Sequence, residues 1–329
     1  MMDKSMAVAT IPCNLCGNTD VEVIGTTDRK GKPLRTVICT SCGLVWTDPR
    51  PDAKSNREYY ADHYRLQYKA AAKPKLKHVY RETQRAIQRF RRIEPLLVAG
   101  MRLLDIGAGG GFFPYTVKQQ GYDIEGIEPN RGYAAYARDE LQLDIKTGFL
   151  QDFDFTEDSF DIITLNHVLE HLEDPGAALQ QLRRWNKPGG YLNIEVPNIE
   201  AVYHAPGHIF HPAHLYTFNP DNLKLMGTKA GYLIHDVQLM PGTAHINVML
   251  CKPADPLALR IPGNFAIPGN YEQIRTKFDH HTTMRHYISA KTYTRFVRKN
   301  FGYLQEAIAV SKFSGGREIA DYLLSGSDV

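Results

Sequence analysis

The run Leu103-Leu-Asp-Ile-Gly-Ala-Gly-Gly-Gly-Phe112 decides the fold, because an apolar stretch leads directly into a loop made mostly of glycine. Glycine lets the backbone turn tightly and approach a ligand at the carboxyl end of a parallel strand. A helix is expected to follow, and Glu128 ends the next predicted strand 19 residues after Gly109. A carboxylate there suits the two hydroxyls of a ribose. The run predicts a ribose-binding loop, although plain turn chemistry and a strand-end cap at Asp105 remain alternatives.

Short apolar runs alternate with helical stretches on both sides of this loop. Strands are predicted at residues 101–106, 122–127, 161–166, 191–196, 233–239 and 245–251. Helices are predicted from the glycine loop to about residue 120 and at residues 131–141, 175–185 and 219–230. Such alternation is typical of a parallel sheet with helices on both faces, here with an antiparallel edge. We therefore predict an α/β fold with a Rossmann-like, doubly wound sheet over residues 96–253. The sheet is expected to be seven-stranded, and six of its strands are those given above.

Four of the five cysteines form two pairs, Cys13-Asn-Leu-Cys16 and Cys39-Thr-Ser-Cys42, with 22 residues between them. A glycine follows each pair and lets backbone amides approach the sulfur atoms. The spacing indicates a zinc ribbon over residues 1–50, since a reducing compartment rarely keeps structural disulfides. Four thiolates fill a tetrahedral shell, so the Zn²⁺ would be structural. Two disulfides or unrelated thiols are the alternative.

The composition limits the class of protein further. With 329 residues, 43% of them hydrophobic and 23% charged, the chain can bury a sizeable core and is neither disordered nor collagen-like. No apolar run approaches the length of a membrane span, and no export signal is recognised, so the expected location is the cytoplasm. The net charge of +3 does not by itself indicate a nucleic-acid partner.

Two further segments complete the predicted organisation. Residues 51–95 are expected to be a helical linker that ends in a helix at residues 74–93, basic on one side and apolar on the other. The basic side is either a solvated face or a contact for an anionic substrate. Residues 254–329 are expected to form a mostly helical C-terminal extension, with a basic, aromatic helix at residues 290–309.

The glycine loop also discriminates between nucleotide ligands. A dinucleotide favours the pattern Gly-x-Gly-x-x-Gly, but Phe112 stands at the third glycine position, which weakens the case for a pyrophosphate. A ligand with a ribose and no phosphate, such as S-adenosylmethionine (SAM), fits better. A NAD-dependent oxidoreductase and a non-catalytic SAM- or zinc-binding partner protein are the alternatives from other classes.

Several segments resemble class I SAM-dependent methyltransferases. They are the glycine loop, Glu128, and residues 159–175 (SFDIITLNHVLEHLEDP), 187–190 (KPGG) and 195–198 (EVPN). The cysteine pairs, together with residues 48–51 (DPRP) and Tyr59-Tyr60, resemble a subgroup that has an N-terminal zinc-binding module. Members of that subgroup methylate sugars, cell-surface glycans and small natural products.

The resemblance implies SAM as the cofactor and a role for each matching residue. The methionine part of SAM would be held by Asp105, Gly107, Gly109 and Gly111, and Glu128 would bind the ribose. The adenine would be flanked by Phe149, Leu150 and Gln151. The methyl-donor side would be lined by Asn166 and His167.

Histidine is the natural general base near neutral pH, and two groups of histidines qualify. The first contains His167 and His171, although local packing is favoured for His171. The second lies in a loop and consists of His204, His208, His211 and His214. The spacing of the second group suits a metal ion, but Pro206, Gly207 and Pro212 argue against a continuous helix. Two other interpretations of the second group remain: its histidines have no catalytic role, or they face the substrate as a base and its orienting groups.

The loop at residues 211–218 resembles the one in which zinc-module sugar methyltransferases keep a tyrosine–histidine pair. His214 matches their histidine, whereas His211 stands in place of their tyrosine, which argues against carbon methylation of a keto-sugar. We therefore predict His214 as the base, with His211, His167 and Tyr216 as further catalytic residues.

The sequence thus predicts methyl transfer from SAM to a hydroxyl of a small molecule, sugar or glycan. The alternatives are a C-methyltransferase acting on a nucleotide sugar, and an RNA or protein methyltransferase that uses the basic helix and the zinc ribbon. The basic helix carries no interleaved exposed aromatics, so a nucleic-acid partner is not expected.

Overall fold

The computed structural model describes residues 11–50, 57, 73–201, 204–240 and 242–326. Its strands are β1 (Val21–Thr27), β2 (Pro33–Cys39), β3 (Val45–Thr47), β4 (Arg102–Ile106), β5 (Asp123–Glu128), β6 (Asp144–Thr147), β7 (Phe160–Asn166), β8 (Asn186–Pro197), β9 (Tyr216–Thr217), β10 (Leu233–Leu239) and β11 (His245–Cys251). Its helices are α1 (Leu76–Ile93), α2 (Phe112–Gln119), α3 (Arg131–Asp139), α4 (Pro175–Trp185), α5 (Pro220–Lys229), α6 (Asn270–His280), α7 (Thr283–Ile288), α8 (Ala290–Val310) and α9 (Gly316–Ser325).

The larger sheet has seven strands in the order β10-β11-β8-β7-β4-β5-β6. Strand β4 pairs in parallel with both β5 and β7, and β5 pairs in parallel with β6. Strands β10 and β11 pair antiparallel, so the sheet is mixed. This order confirms the predicted Rossmann-like, seven-stranded α/β fold, including its antiparallel edge.

Strand β4 and helix α2 flank the glycine loop as the sequence predicts. The strand is buried from Leu103 to Ile106, because apolar side chains there meet neighbours on both faces. Gly111 precedes α2 with φ 80°, a left-handed backbone that glycine adopts without strain. A Cβ at Gly111 would lie 2.6 Å from Cδ1 of Leu143, so the loop has no room for a side chain there.

The N-terminal region forms a second, four-stranded sheet in the order β1-β2-β3-β9. Strands β1 and β2 pair antiparallel. Strand β9 comes from far along the chain, and its Tyr216 lies opposite Trp46 of β3. The ribbon sheet is therefore completed by a strand that begins two residues after His214.

The chain divides into two compact units. The first, called the ribbon unit, comprises the described parts of residues 1–52, 167–183 and 194–288. The second, called the glycine-loop unit, comprises the described parts of residues 53–166, 184–193 and 289–329. The domain boundaries expected from the sequence, at residues 50, 95 and 253, stay a prediction.

Within the glycine-loop unit, the basic helix α1 buries one face, which includes Val79, Phe90 and Ile93. Part of its basic side is engaged by the C-terminal helices, since Arg81 Nε donates to Oε1 of Glu306 at 2.7 Å. The guanidinium of Arg81 also lies 4.9 Å from the ring centre of Tyr303. The C-terminal extension is helical, as predicted.

Some elements differ from the sequence-based expectation. Strands β3, β6 and β9 and helices α6, α7 and α9 were not predicted as separate elements. The Tyr59-Tyr60 pair lies outside the described residues, as do residues 51–56 and 58–72 of the linker predicted at residues 51–95. Within the described part of the chain, no helix combines the length and the apolar character needed to cross a bilayer.

Candidate active site

The glycine loop forms a cradle of backbone groups. Gly107 and Gly109 have φ values of 74° and 59°, so both adopt the left-handed conformation, as Gly111 does. The backbone N–H groups of Gly107 and Ala108 donate to the carbonyl of Ile127 at 2.7 and 2.9 Å. These bonds tie the loop to the end of β5 and fix its path. A side chain at Gly107 or Gly109 would strain that path.

Glu128 lies buried at the end of β5 and is held by two backbone donors. Its Oε2 accepts from Gly109 N at 2.7 Å, and its Oε1 accepts from Asn130 N at 3.0 Å. Each carboxylate oxygen has a second lone pair, so Glu128 can still accept from two hydroxyls. This geometry fits the predicted contact with a ribose diol.

Asp105 ends β4 with a buried carboxyl group that accepts from Thr164 Oγ1 at 2.5 Å. Burial raises the pKa of Asp105 to about 7, although the hydrogen bond from Thr164 and the charge of Arg89 work against the rise. Among the residues that the structure describes, none donates a hydrogen bond to the buried Oδ1 of nearby Asn166. An orphaned acceptor beside a carboxyl group fits the ammonium of a bound amino acid, so these residues are compatible with the methionine part of SAM.

The loop predicted to flank the adenine is held by contacts with Asp152 and Arg57. Phe149 N donates to Oδ2 of Asp152 at 2.8 Å, and Arg57 forms an ion pair with the same carboxylate. The Arg57 guanidinium also lies 4.4 Å from the ring centre of Phe149. Leu150 is buried and Gln151 is exposed, so these two side chains face different environments.

A cluster of histidines in the ribbon unit surrounds the buried carboxylate of Glu170. The rings of His171 and His214 have centres 4.9 Å apart, and those of His211 and His214 lie 5.0 Å apart. One ligand atom from each of Glu170, His171 and His214 lies within 4.8 Å of the others. His171 Nδ1 faces the carbonyl of Ala213 at 2.7 Å, so His171 contacts the distant histidine loop rather than packing locally as the sequence favoured.

The surroundings of this cluster lower the pKa values of its carboxylate and of two of its histidines. Burial alone would raise the pKa of Glu170, but the charge of His171 and the hydrogen bond and charge of His167 outweigh it, and the pKa falls to about 2. Burial and the charge of His171 lower the pKa of His214 well below its ordinary value. Burial and the charge of Arg29 lower the pKa of His211 to about 4. His214 is therefore neutral near pH 7 and able to accept a proton.

His211 shapes the turn that carries His214. Its Nδ1 accepts from Ala213 N at 2.9 Å, and its carbonyl accepts from His214 N at 2.9 Å. With Nδ1 used as an acceptor, a neutral His211 carries its proton on Nε2. His211 thus contributes to the orientation of His214.

His167 belongs to a second cluster with Glu195 and His245, all in the ribbon unit. Its Nε2 lies 3.3 Å from Oε1 of Glu195, and His245 Nδ1 lies 3.7 Å from the same oxygen. Its Nδ1 lies 3.3 Å from Oε1 of Glu170. His167 therefore stands between two buried carboxylates.

The remaining predicted residues of the histidine loop have other surroundings. His208 is exposed, with Nδ1 at 2.7 Å from the carbonyl of Arg29, and the carbonyl of His204 faces His281 Nε2 at 2.8 Å. The structure thus does not gather the four loop histidines around one point. Tyr216 is buried under the guanidinium of Arg50 and donates its hydroxyl to the Glu173 carbonyl at 3.3 Å. Its catalytic role stays a prediction.

The four predicted zinc ligands converge. Sγ of Cys13 and Cys42 lie 3.5 Å apart, as do those of Cys16 and Cys39. A tetrahedral zinc ion with Zn–S bonds of about 2.3 Å separates its sulfur ligands by about 3.8 Å. The backbone N–H groups of Gly17 and Gly43 donate to the first cysteine carbonyl of their pairs, which closes both turns. The cluster is compatible with zinc.

Sequence reasoning missed two members of the second cluster, Glu195 and His245. Glu195 was recognised only in a strand and in the segment 195–198, and His245 only in a strand, because the neighbouring positions of β8 and β11 in the sheet are not visible in the sequence. The one feature of the sequence that could have indicated this cluster is the charged residue Glu195 near the end of a buried strand.

Comparison with known proteins agrees with this geometry. Residues 76–237 match the profile of the methyltransferase domain family. The chain therefore contains a class I SAM-dependent methyltransferase domain, as the glycine loop, Glu128 and the strand order indicate.

Among curated proteins, the chain is similar to two ubiquinone biosynthesis O-methyltransferases. The one from Alkalilimnicola ehrlichii is 30% identical over 105 residues, which are 30% of this chain and 42% of that protein. The one from Nitrobacter winogradskyi is 34% identical over 106 residues, which are 31% of this chain and 40% of that protein. The chain thus spans less than half the length of these relatives.

Among solved structures, a SAM-dependent methyltransferase from Aquifex aeolicus matches 62% of this chain and 100% of its own length. It is 19% identical in sequence, with a TM-score of 0.42.

Proposed function

We propose that this protein transfers a methyl group from SAM to a hydroxyl of a small molecule, sugar or glycan, with His214 as the general base. The observation that carries the proposal is the glycine cradle between Asp105 and Glu128, where bare backbone meets two buried carboxyl groups. The similarity to proteins named O-methyltransferases supports a hydroxyl acceptor.

The cofactor residues have distinct tasks in this proposal. Glu128 binds the ribose hydroxyls, and its two backbone donors keep the carboxylate oriented. Asp105 and Oδ1 of Asn166 bind the ammonium of the amino-acid tail. SAM supplies a methyl group on a positively charged sulfur, which is already activated for displacement. The protein's own work is to align the acceptor and to remove its proton.

His214 takes that proton. It is neutral at physiological pH, and the ionised carboxylate of Glu170 stabilises the imidazolium that forms. His211 and the Ala213 backbone hold the turn on which His214 lies.

The four cysteines bind a structural Zn²⁺ in this proposal. The ribbon then supports the histidine loop, since Thr47 N donates to the carbonyl of Leu215 at 3.0 Å and Thr47 Oγ1 to that of His214 at 3.3 Å. Zinc therefore contributes to catalysis by holding the backbone of the base.

The acceptor can be sought and the base tested in one experiment. The purified protein is incubated with methyl-labelled SAM and a panel of phenols, catechols and nucleotide sugars, and label transfer is measured by mass spectrometry. We expect His214→Ala to lower turnover by about 10²- to 10⁴-fold, the usual contribution of a general base, while the affinity for SAM measured by calorimetry stays unchanged.

His208→Ala is the matched control, because His208 lies in the same loop and faces the Arg29 carbonyl outside the cluster. It should keep wild-type turnover. A His214→Ala variant that loses SAM affinity and turnover to the same extent would refute the assignment of His214 as the base.

A further inference from the structure

The side chains of His167, Glu195 and His245 bring two ring nitrogens and a carboxylate oxygen within 4.8 Å of one another. The two nitrogen–oxygen distances, 3.3 and 3.7 Å, exceed the roughly 2.7 to 2.9 Å of a charge-assisted hydrogen bond. Both distances end on the same atom, Oε1 of Glu195, and the two imidazole rings meet at an angle of 76°. Three ligand atoms thus surround one small space.

The same distances match the spacing of ligands around one metal ion. Two ligands that each lie about 2.1 Å from an ion are about 3.0 to 3.7 Å apart at bond angles of roughly 90 to 125°. The cysteine cluster offers an internal comparison, because its sulfur atoms also lie at a ligand-to-ligand distance, 3.5 Å.

The surroundings of His167 supply a second, independent observation. Its other ring nitrogen, Nδ1, faces the buried carboxylate of Glu170 at 3.3 Å. A metal-bound histidine almost always directs its second ring nitrogen to a carboxylate, a backbone carbonyl or a water molecule, which orients the ring and strengthens the metal bond. Glu170 therefore lies where the hydrogen-bond partner of a metal-bound histidine would lie, and it would orient His167 without binding the ion.

The backbone of His167 adds a third. Its φ of 58° is left-handed, which is uncommon for a residue with a side chain. The backbone N–H of His167 donates to the carbonyl of Glu195 at 2.8 Å, so the two side chains are fixed relative to each other. Strain that the surroundings enforce in this way is typical of functional sites.

We propose that Nε2 of His167, Oε1 of Glu195 and Nδ1 of His245 bind one divalent transition-metal ion, separate from the cysteine cluster. Two imidazoles and one carboxylate favour iron(II), manganese, cobalt or zinc and leave coordination positions unfilled. The side chains of His167 and His245 are 31% and 30% exposed, so the site can be reached from solvent.

The unfilled positions indicate what the ion would do. An acceptor hydroxyl bound there would lose its proton more readily, because a metal ion stabilises the alkoxide or phenolate. This role rests on the proposed function and favours acceptors with two adjacent oxygen atoms, such as catechols, which can chelate the ion. The binding site itself does not depend on that role.

Metal binding is tested by titrating the full-length, zinc-loaded protein with Co²⁺ in the absence of SAM and acceptor. We expect one equivalent of Co²⁺ to give visible d–d absorption without the sulfur-to-cobalt charge-transfer band that thiolate ligands produce. Because the readout needs no turnover, it can fail or succeed independently of the methyltransferase proposal.

Variants locate the ion. His245→Ala and Glu195→Gln should weaken Co²⁺ binding at least tenfold, and Glu170→Gln by about 10- to 100-fold because Glu170 orients His167. Glu195→Gln keeps the side chain's size, so it remains informative if His245→Ala fails to fold. His235→Ala, an exposed histidine on the neighbouring β10, is the control and should bind as the wild type does.

Three results would overturn the proposal. One is a protein that takes up no Co²⁺ beyond the cysteine cluster. Another is unchanged Co²⁺ affinity in Glu195→Gln. The third is a loss of binding in His214→Ala but not in the His167 cluster variants, which would assign the ion to Glu170, His171 and His214 instead.

Discussion

The carboxyl group of Asp105 shows how one buried residue couples stability to pH. Burial raises its pKa to about 7, above the ordinary value of 3.8 that the unfolded chain has. Between those values the folded protein holds a proton that the unfolded chain has lost. Stability from this group is therefore greatest below about pH 4 and falls as pH rises toward 7.

We expect this pH dependence to disappear in Asp105→Asn. For a carboxyl that titrates near 7 when folded, the free energy of unfolding falls by about 2 kcal/mol between pH 5 and pH 7, and asparagine has no proton to lose. Urea unfolding at both pH values measures the difference between variant and wild type. Asp123→Asn removes an exposed carboxylate and serves as the control. An equal slope in Asp105→Asn and wild type would contradict the raised pKa.

Single residues differ in how far the sequence reveals them. Gly107, Gly109 and Glu128 could be predicted, because a glycine loop after an apolar strand has few alternative uses. Glu195 and His245 could not, because they meet only through the pairing of distant strands. The contact of His171 with the histidine loop could not be predicted for the same reason, since its partner Ala213 lies 42 residues away in the chain.

At the scale of elements, the ribbon is joined to the histidine loop by the two-residue strand β9. No pattern in so short a segment predicts a strand, and its pairing with β3 depends on the fold of the ribbon. Further contacts tie the ribbon to the turn after His171: Asn14 Nδ2 donates to Asp174 Oδ1 at 2.8 Å, and Arg50 donates to the Glu173 carbonyl at 2.6 Å. The loop that carries His214 and the turn after His171 are thus both hydrogen-bonded to the ribbon.

In the proposed function, loss of the Zn²⁺ held by the four cysteines should impair catalysis more than cofactor binding. We expect Cys42→Ser to lower the melting temperature and to reduce turnover at least tenfold, because the turn at His214 loses its support. SAM affinity should stay near wild type, because Asp105 and Glu128 belong to the glycine-loop unit. Differential scanning fluorimetry, calorimetry and the label-transfer assay measure the three quantities.

Cys251→Ser is the control for that experiment, because Cys251 lies on β11 outside the cysteine cluster. It should leave zinc content and turnover unchanged. Full turnover in a Cys42→Ser protein that has lost its zinc would rule out a supporting role for the ribbon.

At the scale of the whole molecule, the large sheet was predictable because each strand–helix repeat buries a continuous apolar run. Strand β6 was missed because it has four residues, of which only Ile145 is fully buried. Helix α9 was missed because its apolar face becomes meaningful only against other helices: Tyr115 donates its hydroxyl to Asp321, and Ile319 is buried. Patterns within one element survive in the sequence, whereas contacts between remote elements do not.

The cofactor cradle is tested most directly by calorimetric titration of the protein with SAM and, separately, with NAD. We predict that SAM binds with a stoichiometry of one and that NAD does not bind. Glu128→Gln should weaken SAM about 10- to 100-fold, the cost of a hydrogen bond to a charged group, whereas Glu125→Gln on the same strand should not. Binding of NAD in place of SAM, or wild-type SAM affinity in Glu128→Gln, would contradict the account.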